Sequence, residues 1–178
     1  MIYGGKELAS SFRTVRKNTI QVAEDIPESQ YSHVAAPGCK TVAQMFVHIV
    51  YAADIRRELH ERRRVTTFVG LDFAPVLEQM LAEEAKPRTK AQLVELLRTQ
   101  GEEFAKWLEG LRPEFLSEMV VQGDGKTSQS RFEQILSAKE HEMHHRGQLM
   151  LIQRQLGIVP HVTRQFNERM AQARQAKA

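Results

Sequence analysis

A single cysteine, Cys39, stands in 178 residues, so no intramolecular disulfide can form and the stapled scaffold of a small secreted protein is excluded. A reducing, cytoplasmic setting is the expectation that follows. Long apolar runs are missing too. The longest nearly apolar stretch, Met45 to Ala53, is interrupted by His48 and falls far short of the roughly 20 residues a spanning helix needs. The opening residues, MIYGGKELASSF, hold no apolar signal region, and no membrane partner is expected. A strong charge of either sign is also lacking: 25 Lys and Arg against 22 Asp and Glu leave +3, although the isoelectric point is 9.1. The densest basic cluster, Arg56-Arg57 and Arg62-Arg63-Arg64, is interleaved with Glu58 and Glu61. Solvated helix ends account for it, and no nucleic-acid partner is expected. Internal repeats are absent, and the only biased segment is the polar tail after Phe166, which either frays or adds a short helix.

What is present is a helical pattern. A chain of this length buries roughly 70% of its unfolded surface as one domain and needs no external staple. Thr41-Val-Ala-Gln44, Thr89-Lys-Ala-Gln92 and Ser130-Arg-Phe-Glu133 each place a hydroxyl before an amphipathic run and a Gln or Glu three residues on, the signature of a capped helix start. An earlier helix is read from Leu8, Phe12, Val15, Ile20 and Val22, ending before Pro27. The spacing predicts helices over 6–23, 41–63, 89–110 and 130–156, with stops at Gly110 and Pro113 and at Gly157. Between the second and third, Pro75 to Ala85 suits a short crossover helix; between the third and fourth, Glu118 to Gln129 suits a small hairpin around Gly-Asp-Gly. The expected fold is an all-α, antiparallel four-helix bundle with long connections over residues 1–165, followed by a polar tail over 166–178.

Three histidines in five residues, within Glu140-His-Glu-Met-His-His-Arg-Gly-Gln148, carry the chemistry. At about 100° per residue, His145 lies roughly 40° around the helix from His141 and one turn on, so both imidazoles reach one point. Ile135, Ala138, Leu149, Ile152 and Leu156 occupy the same sector, the core face. His144 turns to its rim, so His145 is preferred as the partner of His141. Gln148 falls about 20° from His141 and two turns on, aimed inwards to orient a ligand or meet a substrate. On the second helix His48 shares the buried side with Met45, Ile49, Ala52, Ile55 and Leu59. Three buried imidazoles on facing helices crowd one another unless an ion stands between them. Three nitrogen ligands leave positions open for water or substrate, as in catalytic sites. Tyr51, one turn after His48, is a further candidate for contact with a ligand or substrate. Glu142 lies beside the ligands but at an angle that suits a neighbouring helix as well. His33, His60 and His161, in a loop or near element ends, are expected at the surface.

Gly147 in mid-helix costs about 1 kcal/mol relative to Ala and suggests a close approach by another helix. Phe132, Leu136, Met143 and Met150 form a second apolar stripe on the same helix. It marks either a second neighbour within the bundle or the face of a homodimer, and a homodimer is expected.

At His141-x-x-x-His145-Arg-Gly-Gln148 the sequence resembles the DinB/YfiT-like superfamily, whose fourth helix carries H-x-x-x-H-R-G-Q. Met45-Phe-Val-His48-Ile-Val corresponds to its second-helix ligand, and Leu156-Gly-x-x-Pro160 to the ending of the fourth helix. The resemblance implies an up-down-down-up bundle, often dimeric, binding one divalent ion, zinc or nickel and sometimes manganese, through His48, His141 and His145. It further implies a choice of activities: a transferase joining a low-molecular-weight thiol to a small electrophile, a thiol-dependent isomerase, or a hydrolase; a bundle that binds metal or ligand without turnover is the non-enzyme alternative. The transferase, in which the ion lowers the pKa of the thiol, is the leading expectation.

Overall fold

The computed structural model describes residues 3–176. Helix α1, Gly5–Asp25, begins with the Glu7 carboxylate accepting the Gly4 amide at 2.9 Å and buries Leu8, Phe12, Val15 and Val22. Helix α2, Val42–Arg57, and the later α4, Lys90–Glu109, start at the expected capping boxes of Thr41 and Thr89. Between them lies α3, Ala74–Ala85, with proline in its first turn. After α4 come the short α5, Pro113–Ser117, and an antiparallel hairpin of β1, Met119–Val121, and β2, Ser128–Ser130. Helix α6, Arg131–Gln155, opens on the Ser130 and Glu133 box and stops where Gly157 takes φ 76°, a left-handed conformation that suits glycine. Helix α7, His161–Gln175, continues straight through residue 166, and from Gln165 onward its described residues are exposed.

The second predicted helix is interrupted. Instead of running regularly to residue 63, α2 passes into a π-helical turn, Glu58–Arg62, which rotates Leu59 and His60 into the interior. Both are fully buried. A π turn inserts a residue that a 3.6-residue count does not foresee, and this corrects the expectation of a surface role for His60.

Side-chain bonds fix the helix directions. Arg13 of α1 meets Glu102 and Glu109 of α4, while Lys90 reaches back to the carbonyls of Glu24 and Ile26, so α1 and α4 are antiparallel. Ser11 meets Lys139 and Arg16 meets Glu142, making α1 and α6 parallel. His48 meets His141 and Arg56 meets Ser137, making α2 and α6 antiparallel. The four helices form a ring in the order α1, α4, α2, α6, with up-down-down-up topology. Since α2 and α4 run the same way, the chain must travel back along the bundle between them. Helix α3, about 18 Å long, covers part of that return and packs on α2.

Two apolar clusters fill the bundle, one around Phe46, Ile49, Leu93 and Leu149, the other around Phe12, Phe104, Leu108 and Ile135. A polar layer also crosses the bundle. Glu142 of α6 pairs with Arg16 of α1 at 3.0 Å; Arg16 donates to the Leu97 carbonyl at 2.9 Å and to Gln100 of α4 at 3.2 Å; and Gln100 donates to Asp54 of α2. All four bundle helices are tied through one chain of hydrogen bonds, which favours a single register over sliding alternatives. Gly101 makes room for it: a Cβ there would stand 2.7 Å from Arg16 Cγ.

Gly147 differs from expectation. It is exposed and a Cβ on it would meet nothing within 4 Å, so no helix approaches there. The second stripe of α6 is divided: Phe132, Leu136 and Met150 lean on their own chain's core, while Met143 is 44% exposed.

Candidate metal centre

Helices α2 and α6 cross so that His48, His141 and His145 each offer a ring nitrogen within 4.8 Å of the others. The Nε2 atoms of His48 and His145 lie 3.2 and 3.1 Å from His141 Nε2. Four-residue spacing on α6 brings His141 and His145 together, as the helical geometry predicts, and antiparallel packing brings His48 opposite them.

The remaining nitrogens decide what the cluster can hold. His48 Nδ1 donates to Glu84 Oε1 at 2.8 Å, and His145 Nδ1 donates to Gln148 Oε1 at 2.8 Å. With hydrogens on Nδ1, both rings turn Nε2 lone pairs towards His141. A hydrogen on His141 Nε2 could serve only one of them. A cation at the meeting point would satisfy all three, and ligand nitrogens about 2.1 Å from a tetrahedral ion stand roughly 3.4 Å apart, close to the two spacings to His141. Burial first, and then the neighbouring His145 and His48, push the His141 pKa down to about 3, while burial lowers that of His145. These two imidazoles are therefore neutral near pH 7, as metal ligation requires.

Glu84 is the residue that sequence reasoning missed. It reaches the site from α3, outside the four-helix ring, is 6% exposed, and also accepts from Lys40 in the loop before α2. Nothing local in the sequence marks it, because its contact depends on how the crossover helix packs. Gln148 does meet His145, though by folding its amide back over an exposed surface instead of pointing inwards. His144 is exposed and bonded to Gln148 at 3.2 Å, outside the converging cluster. Tyr51 faces α3 from α2, and burial first, and then the neighbouring Glu83, push its pKa up to about 12.

Of the two placements left open for Glu142, the neighbouring helix is the one found: it is 1% exposed and wholly engaged by Arg16 of α1, so it is not free to act as a base. The surface expectation for His161 is corrected. His161 is buried with Nε2 bonded to Asn18 at 3.0 Å, because the turn after Gly157 folds the start of α7 back onto α1. His33, in the loop before α2, is partly buried with its Nε2 enclosed.

Fold and site together define a four-helix bundle with a candidate divalent-metal centre between antiparallel helices. The chain belongs to the DinB family, whose model matches residues 1–176. Among solved structures it is similar to the DinB-like protein YjoA from Bacillus subtilis, with 23% identity, a TM-score of 0.59, and coverage of 85% of this chain and 92% of that one. It is also similar to YfiT from Bacillus subtilis, described as a probable metal-dependent hydrolase with an unusual four-helix bundle topology. There the identity is 16%, the TM-score 0.64, and the coverage 86% of this chain and 88% of that one. These likenesses support the fold. No curated protein matches the chain. Among the described residues, no helix is long and apolar enough to cross a membrane.

Proposed function

We propose that the chain is a metal-dependent S-transferase that joins a low-molecular-weight thiol to a small electrophile. His48, His141 and His145 hold one divalent ion, zinc or nickel ahead of manganese. The observation that carries the reading is the convergence of three Nε2 atoms beside carboxylates that are already committed, Glu84 to His48 and Lys40, and Glu142 to Arg16. A divalent ion so held is a Lewis acid that lowers the pKa of a thiol or water bound to it. A thiolate needs no further base to attack, whereas hydrolysis ordinarily draws on an assisting carboxylate. Glu84 and Gln148 keep two of the ligand rings in the required tautomer. Metal-loaded protein is expected to accelerate the reaction of N-acetylcysteine with 1-chloro-2,4-dinitrobenzene. Turnover no faster than with the same concentration of free metal would overturn the transferase reading.

Hydrolysis is the second reading, favoured by the description of YfiT. Cleavage of p-nitrophenyl acetate that is lost on His145→Ala, without thiol transfer, would select it. We also propose a homodimer in which a second copy covers the outer edge of the α6 stripe at Met143. Sedimentation at tens of micromolar is expected to give twice the chain mass, and a monomer there would contradict it.

A further inference from the structure

A cavity of about 440 Å³ lies along the α2 and α6 interface, one helical turn from the histidine cluster. Its walls include Leu59, Leu136, Phe68 and Phe73, and among its polar groups are three side chains, Arg56, His60 and Gln134. The polar groups are unusual for where they sit. His60 is fully buried and Gln134 is 7% exposed, yet His60 Nε2 and both amide atoms of Gln134 have no hydrogen-bond partner. Buried polar atoms in native proteins nearly always find a partner, in protein, water or ligand.

The donor balance shows what that partner would be. Arg131 can only donate, and its Nη1 lies 3.1 Å from His60 Nδ1, so Nδ1 accepts and the ring hydrogen is on Nε2. His60 therefore offers a donor. Arg56 is partly buried, its Nε donates to the neutral Ser137 hydroxyl at 3.1 Å, and among the described residues no carboxylate lies within ion-pairing distance of it. Glu133 and Glu140 also line the cavity, but both are exposed and Glu133 is held by Ser130. A partly buried guanidinium without an ion-pair partner stands among the same lining residues as a ring N–H and an amide N–H that lack partners, the donor set of an oxyanion site with apolar walls.

We propose that this cavity binds the carboxylate of the protein's substrate, with the acid on Arg56, His60 and Gln134 and an apolar body along Phe68 and Phe73. Its role as the substrate site rests on the metal-dependent reading above; its binding of a carboxylate does not. Ser137, which Arg56 meets at 3.1 Å, precedes His141 by one turn, roughly 6 Å. A small acid anchored there would extend its reactive end to the metal centre.

The test is isothermal titration calorimetry with 3-phenylpropionate and its neutral analogue 3-phenylpropionamide, on metal-loaded and metal-stripped protein. One acid per chain is expected to bind in both forms, at least tenfold more weakly after Arg56→Gln or Gln134→Met, and at least tenfold more weakly as the amide. Arg56→Lys keeps the charge and is expected to bind better than Arg56→Gln, with circular dichroism confirming that each variant is folded. Binding that vanishes on metal removal would place the acid on the ion and overturn the assignment. So would binding unchanged by Arg56→Gln and Gln134→Met, or no binding at all, which would make the cavity a hydrated void. Acid binding that persists in protein unable to take up metal would instead leave this pocket standing while the metal reading fails.

Discussion

Glu84 holds His48 of the candidate metal centre from a helix that is not part of the bundle ring. Its bond to Nδ1 fixes which nitrogen faces the cluster, and loss of such a partner ordinarily weakens metal affinity by about 10- to 100-fold. Glu84→Gln is expected to fall in that range, read by competition with a chromogenic chelator; an unchanged affinity would remove Glu84 as a positioning residue. His60 carries the clearest pH dependence. Burial, reinforced by the charges of Arg131 and Arg56, pushes its pKa down to about 4 from 6.5. The unfolded chain therefore binds more protons between those values, so the stability is complete above about pH 6.5 and is lost as pH falls towards 4. From pH 7 to pH 5 this group alone should cost about 2 kcal/mol. Urea unfolding of the wild type and of His60→Gln at both pH values checks it: the variant should lose less stability on acidification by about that amount, and equal losses would contradict the assignment.

Helix α6 shows which parts of the element scale are legible in the sequence. Its start was readable because capping is local: Ser130 and Glu133 bond each other's backbone amides three residues apart. The meeting of His141 and His145 was readable for the same reason, since four-residue spacing on a helix fixes it. Glu142 was not, because its partner Arg16 lies 126 positions away. The π turn after α2 hid His60, and the packing of α3 hid Glu84. Gly147 misled because its usual explanation is a close neighbour, whereas here the helix is open to solvent. Gly147→Ala should then recover up to about 1 kcal/mol of helix propensity. Thermal unfolding at low protein concentration would show it as a raised midpoint, and a lowered one would reveal a contact at that position.

At the scale of the whole molecule, the parallel course of α2 and α4 explains the long connection between them, and that connection supplies the Glu84 that braces His48 in the candidate metal centre. In this chain the ring of four helices thus draws on an outer element for the carboxylate that holds His48. Among the described residues, the other outer helix, α7, is anchored near its start, by His161 on Asn18 and by Arg164 on Asp25. We therefore propose that the folding unit ends near residue 165. Deleting residues 166–178 should change the urea midpoint little, and loss of cooperative unfolding would contradict that boundary. The central claim concerns the three histidines. Elemental analysis of untagged protein should find about one divalent metal per chain, lost in His141→Ala and His145→Ala and retained in His144→Ala. No stoichiometric metal after reloading, or equal loss in His144→Ala, would contradict it.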